Sequence, residues 1–233
     1  MIGKLPFERF YTEYVERPSE AYRQNIGPPV HLSAEGFALF VDQLRSYRAL
    51  YSNMSFWQII DYKTFRVIHK DGDLETFGRP FTTFKDFFRA MHPDYLRPYL
   101  RWRAAGLELT INKSIELDPL NLSYRFSMPM QVKNGDYYWF TMNSTVVQID
   151  AQGHIVSALQ TFYQENKWSP RNLRPVEASI RIRSGKHANL EKQIIAQLSI
   201  QLIDEFTDAE LDLIALYAAG KETSEILVSK NWS

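Results

Sequence analysis

The sequence predicts an α+β fold, in which helices cover an antiparallel sheet and further helices lie toward both ends of the chain. The first observation is a set of three alternating apolar segments between residues 122 and 163, separated by Asn134-Gly135 and by a turn from Asp150 to Gly153. The second is that the segments before and after them carry apolar residues at helical spacings of three and four. With 233 residues, 45% of them apolar, the chain can fill a sizeable core.

The N-terminal part is predicted to be helical. A short aromatic-rich helix is expected from Phe7 to Glu16, ended by Pro18. A second helix begins after Ser33, a residue type that favours the N-cap, and its apolar stripe is Phe37, Phe40, Val41 and Leu44. Residues 1–53 therefore form an N-terminal helical segment. From Phe56 the period changes to that of one or two strands, where the sheet begins.

Two helices are predicted between these strands and the hairpins. Thr83 with Asp86 three residues later has the spacing of a capping box, and the apolar side of the helix that follows is Phe84, Phe87, Phe88 and Met91. Pro93 begins another helix, which Pro98 can break. We expect this helix to end at Gly106, because glycine commonly follows the last helical turn.

The hairpin strands have one strongly apolar face. Period two places Tyr124, Phe126, Met128 and Met130 together on the first strand, and Tyr138, Phe140, Met142 and Val146 together on the second. The opposite sides are more polar and carry Arg125, Ser127, Gln131, Trp139, Thr141 and Asn143. A type I′ turn is predicted at Asn134-Gly135, and Pro129 is expected at an edge position or a bulge, because proline has no N–H to donate.

Composition excludes several kinds of chemistry. There is no cysteine, which rules out disulfides, thiolate metal sites and a flavin–thiol adduct. The five histidines form no metal-binding pair, and neither a nucleophile with its base nor paired carboxylates are found, so neither a metal site nor an enzyme is predicted. The N-terminus lacks the apolar run of a signal peptide, and no stretch is apolar enough to span a membrane, so a cytoplasmic location is expected.

Two motifs in the central region carry a family resemblance. They are the sequence MHPDY from Met91 to Tyr95, and the strand–turn–strand segment YRFSMPMQVKNGDYYWF from Tyr124 to Phe140. In this order they make the stretch from about Met54 to Gln164 resemble a PAS domain, and residues 54–165 are assigned to a PAS-like sensory domain. The resemblance implies a curved antiparallel sheet with helices over its inner face, which either senses a small ligand or serves as a dimerisation platform.

The resemblance also implies where a ligand would bind. It points to the inner face of the sheet: Phe126, Met128, Met130, Tyr138, Phe140, Met142, Leu159 and Thr161. A ligand there would lie between the sheet and the helix from Phe84 to Met91. The alternative is that these side chains only fill the core, because Met and Phe are bulky. No cofactor is predicted, although an unidentified small ligand fits the resemblance, and His92 is either a haem ligand or a structural cap.

The chain then becomes locally basic. Lys plus Arg and Asp plus Glu are both 27 overall, but the segment 166–188 is rich in basic residues, and it is interpreted as a linker or docking strap able to contact nucleic acid: Lys167, Arg171, Arg174, Arg181, Arg183 and Lys186. The next helix has the apolar stripe Leu190, Ile194, Ile195, Leu198 and Leu202. This stripe is suited to a partner helix, and a homodimer is predicted.

The end of the chain carries a second resemblance. Thr207 and Glu210 predict a helix start, and Gly220 its end. The positions that match the opening of a LuxR-type helix-turn-helix domain are Thr207, Glu210, Leu213, Ile214, Gly220, Lys221, Glu225 and Ile226. Residues 189–233 are therefore assigned to a linker helix and a partial domain of this type, whose recognition helix is missing or only begun at Ser229.

A functional hypothesis follows from the two resemblances together. They imply a cytoplasmic sensory transcriptional regulator, in which a PAS-like domain controls an incomplete LuxR-type segment whose phosphate contacts would be Lys221, Thr223 and Lys230. DNA is the expected partner if that segment is completed, and no membrane is involved. The alternative is a PAS-type interaction or dimerisation module that does not bind DNA. A small-molecule enzyme is the third reading.

Overall fold

The computed structural model describes residues 7–30, 32–48, 54–78, 81–117, 119–171, 174, 177–182, 188–202, 213, 216, 217 and 220–222. The chain divides into two compact units, Met1–Leu202 and Ile203–Ser233. The strands of the first unit are β1 Phe56–Asp61, β2 Arg66–Gly72, β3 Leu122–Gln131, β4 Tyr137–Ile149, β5 Ile155–Lys167 and β6 Glu177–Ile182. They form a six-stranded sheet in the order β2-β1-β5-β4-β3-β6, and every neighbouring pair is antiparallel.

The helices surround this sheet. They are α1 Phe7–Tyr11, α2 Arg17–Arg23, α3 Ala34–Arg48, α4 Phe84–Ala90, α5 Pro93–Leu117 and α6 Ala188–Ser199. A π-helical turn, Thr12–Glu16, joins α1 to α2, and short 3-10 turns lie at Glu75–Phe77, Pro119–Asn121 and Ile200–Leu202. The predicted α+β class with a PAS-like antiparallel sheet is confirmed. None of the helices in the described ranges has the length and apolar character needed to cross a bilayer.

The β3–β4 connection differs from its prediction. Val132 N–H donates to the Asp136 carbonyl (2.8 Å) and Gly135 N–H donates to the Val132 carbonyl (2.9 Å), which closes a loop of three residues. Gly135 has a φ of 88°, whereas Asn134 is not among the residues with positive φ. The type I′ turn is therefore wrong, because that turn needs positive φ at both central residues; a type I turn followed by a left-handed glycine takes its place.

Phenylalanine fills the inner face of the sheet. The ring centroids of Phe56 on β1 and Phe162 on β5 lie 4.2 Å apart in a stacked pair. The further rings buried around them are Phe77, Phe81, Phe84, Phe87, Phe88 and Phe140. The α4 helix that carries three of these rings starts with the predicted capping box, in which Thr83 and Asp86 bond each other's backbone and side chain.

The outer face of the sheet is apolar too, which the sequence analysis did not predict. The buried residue Val41 of α3 packs against Trp57 and Ile59 of β1, with Leu159 of β5 at the edge of the cluster. The α3 helix is capped as predicted, since the Ser33 hydroxyl accepts from the N–H of Gly36 (3.1 Å). Both faces are therefore covered in this part of the sheet, and an apolar side chain does not by itself reveal which face it occupies.

Two predicted helix ends are wrong. The α5 helix spans 25 residues and continues through both Pro98 and Gly106. The helical run at the N-terminus continues through Pro18, which lies in the first turn of α2, where a missing N–H is tolerated. In α5, burial of Tyr99, Leu100 and Trp102 against the core explains how tertiary packing outweighs the local preferences of proline and glycine.

Replacement of Gly106 tests the continuity of α5. A Cβ atom added at this position would meet no heavy atom within 4 Å. Glycine inside a helix is less favourable than alanine, so Gly106→Ala should raise the free energy of unfolding by about 0.5–1 kcal/mol. Urea denaturation measures this change, and a clear loss of stability would contradict a helix that runs through residue 106.

The predicted linker 166–188 contains the strand β6. It pairs with β3 from Leu122↔Ile182 to Ser127↔Glu177, and its Ala178 and Ile180 face the core. A strand of six residues in a basic segment has too few apolar positions to show a clear period. Pro129 lies beyond the last β6 pair, at an edge position as expected, and its carbonyl accepts from His92 N–H (2.8 Å).

The apolar stripe of α6 packs inside the same chain. Ile194 and Leu198 are buried in the main core, where Leu122 and Ile180 lie next to them, while Ile195 is 36% exposed. The burial of Ile194 and Leu198 fits the predicted stripe, whereas Ile195 is exposed and the side chain of Leu190 lies outside the described residues. The assignment of Ile194 and Leu198 to a dimer seam was wrong, because they pack inside their own chain.

The second unit is described only in part. Gly220 N–H donates to the Tyr217 carbonyl (2.9 Å) and Lys221 N–H to the Leu216 carbonyl (3.1 Å), with Gly220 at a φ of 77°. These bonds form the Schellman arrangement that ends a helix, so the predicted stop at Gly220 is confirmed. The other residues of the LuxR-type resemblance, apart from Leu213, lie outside the described residues, and so do Thr223 and Lys230.

Candidate ligand-binding site

A cavity of about 50 Å³ lies between α5 and the inner face of the sheet. The α5 helix contributes Tyr99, Trp102, Arg103, Gly106 and Leu107 to its lining. The sheet contributes Tyr124, Met142, Ser144, Ile155 and Gln160, and Tyr62 comes from the turn between β1 and β2. The cavity is therefore bounded by elements that are far apart in the sequence.

A row of polar side chains crosses the otherwise apolar inner face. Gln58 pairs with Gln160, Gln160 with Ser144, and Ser144 with Tyr124, so the row runs across β1, β5, β4 and β3. The amide Nε2 of Gln58 donates to Oε1 of Gln160 (2.8 Å). Since the Gln160 oxygen is used in this way, its NH₂ group is left as a donor at the cavity.

Among the described residues, Arg103 is the one charged member of the lining, and its side chain has no counter-ion there. The residue is 8% exposed, and neither Nη atom has a hydrogen-bond partner within the described part of the chain. Burial lowers the pKa of the guanidinium, but its ordinary pKa is so high that the group stays charged at neutral pH. The titratable groups that act on it are the hydroxyls of Tyr62, Tyr99 and Tyr11, and no carboxylate is among them.

Aromatic rings hold the guanidinium in place. Its central carbon lies 4.8 Å from the ring centroid of Phe84 and 5.2 Å from that of Phe65. Phe65 has a φ of 52° and is the one non-glycine residue with positive φ in the described ranges. A bulky side chain in this conformation is strained, and such strain tends to occur at functional sites.

Several uncharged polar groups also lie in the lining. The hydroxyls of Tyr62, Tyr99 and Ser144 and the Gln160 NH₂ make no hydrogen bond to other described residues. Burial raises the pKa of the Tyr99 hydroxyl, although the positive charge of Arg103 acts in the opposite direction. Tyr99 therefore remains a neutral hydroxyl at physiological pH, and the site combines one cation with several neutral donors.

Most of the predicted pocket residues lie elsewhere. Met142 lines the cavity, whereas the other members of the predicted face pack in the core beside it: Phe126, Met128, Met130, Tyr138 and Phe140. Leu159 pairs with Thr145, and Thr161 pairs with Asn143, so both lie on the outer face and their predicted orientation was wrong. Phenylalanine rings occupy the space next to α4 where the ligand was expected.

Arg103, Gln160 and Ser144 were missed, although the sequence contained a signal for each. Arg103 lies four residues after Tyr99 and four before Leu107, on the buried side of α5. Ser144 follows Met142 at the strand period and therefore shares its face. In each case a polar residue stands at a position where the period of the segment predicts an apolar one, which indicates a buried polar group.

His92 has a structural role in α5. His92 directly precedes α5, and its Nδ1 accepts from the backbone N–H of Asp94 in the first turn of that helix (3.3 Å). Its ring packs 4.2 Å from the centroid of Trp168 and 4.7 Å from that of Tyr137. This is the capping alternative, and His92 does not line the cavity.

Comparisons with known proteins give only distant similarities. No protein-family model and no curated protein matches the sequence. One similar structure is the N-terminal domain of a diguanylate cyclase with PAS/PAC sensor from Marinobacter aquaeolei. The match covers 47% of this chain and 93% of that domain, with 16% sequence identity and a TM-score of 0.34. A phage VqmA–DPO complex covers 82% of this chain and 74% of its own, with 13% identity and a TM-score of 0.30.

A third structure has the same coverage. The VqmA–ligand–DNA complex of Vibrio cholera covers 82% of this chain and 74% of its own, with 14% identity and a TM-score of 0.29. Similarities at this distance assign no ligand and no activity to this chain.

Proposed function

We propose that the chain is a cytoplasmic sensory transcriptional regulator that binds a small molecule and is not an enzyme. In this proposal the unit Met1–Leu202 holds the molecule in the cavity beneath α5, and the LuxR-type segment that follows in the sequence contacts DNA. The cavity supports a binding role most strongly, because it is lined by Arg103, whose Nη atoms have no hydrogen-bond partner among the described residues. Among the described residues its lining includes Ser144, but neither a histidine nor a carboxylate to activate that hydroxyl.

The packing of α6 supports a sensory role. Gly106 and Tyr124 border the cavity, and they also border the contact in which Ile194 and Leu198 of α6 are buried. The α6 helix precedes the LuxR-type segment in the chain. A ligand that favours one position of Gly106 and Tyr124 would therefore favour one packing of α6. Signalling requires such a difference, because a ligand shifts an equilibrium only when it binds one conformation more tightly than the other.

Homodimer formation is part of the proposal. Two large apolar side chains of α3, Leu39 and Tyr47, are 60% and 53% exposed. They lie eight residues apart and so project from similar sides of the helix, as a helix-pairing surface requires. Sedimentation velocity at tens of micromolar protein measures the assembly state, and a monomer would contradict this part of the proposal.

DNA association tests the regulatory role. Fluorescence anisotropy with a mixed-sequence duplex should show binding at about 50 mM salt that weakens markedly at about 200 mM, because phosphate contacts release counterions. Lys221→Glu should weaken this binding and reduce the slope of log K against log salt concentration by about 1, the value for one phosphate contact. The matched variant Lys63→Glu, in an exposed turn of the sheet, should leave it unchanged. Absence of DNA binding at the lower salt would contradict the regulator proposal and favour an interaction module.

A further inference from the structure

Arg103 lines the cavity beneath α5, and its guanidinium has no anion beside it among the described residues. The four N–H groups on the Nη atoms of Arg103 have lost water and have gained no acceptor among the described residues. Phe65 and Phe84 offer only the faces of their rings. Removing a guanidinium from water is unfavourable unless a negative or strongly accepting group replaces the hydration.

Further donors surround the same space. Gln160 presents its NH₂ group, because its oxygen is occupied by Gln58. The hydroxyls of Tyr62, Tyr99 and Ser144 can each donate one proton. Since donors outnumber acceptors and the site has a net positive charge, its complement is a group rich in acceptors and negatively charged.

We infer that the ligand of this cavity is a small carboxylate-type monoanion held by Arg103. This inference rests on the proposed sensory function and makes its ligand class specific. A planar carboxylate matches the guanidinium, which can donate two parallel N–H bonds to its two oxygens. Trp102, Met142 and Leu107 provide an apolar surface for the remaining carbon atoms.

The size of the cavity limits the ligand. A cavity of about 150 Å³ accepts benzene, and the volume here is about 50 Å³. Ligands of three to five heavy atoms, such as formate or acetate, are therefore the appropriate probes. The best possible affinity for four heavy atoms is roughly 40 µM, so we expect acetate to bind with a Kd of about 0.1–10 mM.

The test is calorimetric titration of the full chain with acetate and with its neutral isostere acetamide. Sodium gluconate maintains the ionic strength, because its anion is too large for this cavity. Acetate should bind once per chain, and acetamide should bind at least about tenfold more weakly, because it lacks the charge. Arg103→Met should weaken acetate binding by at least about tenfold, and Arg103→Lys by less, because lysine keeps the charge but not the bidentate geometry.

Arg45→Met on the exposed surface of α3 is the matched control and should bind acetate like the original chain. Equal binding of acetate and acetamide would overturn the inference, as would acetate binding that survives Arg103→Met. The absence of binding by acetate, formate and nitrate at tens of millimolar would overturn it as well. These outcomes are separate from the DNA measurement: a neutral molecule bound in the cavity would leave the sensory proposal standing, whereas loss of DNA association would remove the regulatory one.

Discussion

Arg103→Met should raise the free energy of unfolding of the ligand-free chain by about 1–4 kcal/mol. Methionine has a similar length and can pack near Phe65 and Phe84 without a charge that lacks a partner. The lost cation–π contacts contribute about 2 kcal/mol, which is less than the several kcal/mol that it costs to remove an ion from water. Urea denaturation followed by tryptophan fluorescence measures the difference, and the Tm should rise by about 2–4 °C for each kcal/mol.

The same exchange at Arg45 provides the comparison. That guanidinium is 53% exposed on α3 and pairs with Asp42 at the surface, so Arg45→Met should change stability by no more than about 0.5 kcal/mol. A loss of more than about 1 kcal/mol in Arg103→Met would mean that the guanidinium stabilises the empty fold, which contradicts an unmet charge. If Arg103→Met is more stable than the original chain but no longer binds acetate, Arg103 is a residue retained for function and not for stability.

Asp150→Asn should lower the free energy of unfolding by about 2–4 kcal/mol. The carboxylate is fully buried and accepts from the N–H groups of Gly27 (2.7 Å), Gln152 (2.9 Å) and His154 (2.8 Å), with His154 Nδ1 at 3.0 Å. Asparagine retains one acceptor oxygen and places an NH₂ group against these donors. Urea denaturation at neutral pH measures the loss, and Asp42→Asn, at an exposed carboxylate, should change little.

Asp150 should also make the fold sensitive to acid. Burial by itself raises the pKa of Asp150, but the hydrogen bonds from Gly27 and His154 outweigh it and hold the pKa below its ordinary value. The stabilisation is therefore complete above the ordinary carboxyl pKa of about 3.9, and it is lost as the pH falls through the lower folded-state pKa. The difference in stability between the original chain and Asp150→Asn should shrink across that range, and a difference independent of pH would contradict this role.

Local signals in the sequence predicted the elements that local chemistry determines. The Thr83 capping box, the Ser33 cap and the Gly220 helix end each depend on residues within one turn, and the structure confirms all three. The three hairpin strands follow from alternation within each strand and from glycines that need positive φ at Gly135 and Gly153.

Predictions failed where distant parts of the chain decide the outcome. Leu159 was assigned to the inner face because it is apolar, but α3 covers the outer face and makes apolar residues suitable there too. In the structure it pairs with Thr145, on the side away from Met142, because the β4–β5 turn closes between Asp150 and His154 and not between Asp150 and Gly153. Gly106 was interpreted as a helix end because glycine commonly follows the last helical turn, but packing against the core continues the helix beyond it.

The candidate site was hard to predict for a related reason. Arginine is among the residues least often buried, so a sequence-based interpretation places it at the surface. Only the assembled fold brings Arg103 next to Ser144 and Gln160, which follow it in the sequence by more than 40 residues. The polar row across the sheet becomes visible only when the register of four strands is known.

The covering of both faces has a mechanical consequence for the sheet. Phenylalanine rings brace β1 and β5 from one side and α3 braces them from the other, so this half of the sheet resists bending. The cavity extends from β5 to β3 on the inner face, next to Gly106, and α6 packs beyond it at the border of β3 and β6. A molecule entering the cavity would therefore meet braced strands on one side, and Gly106 and Tyr124, which also border α6, on the other.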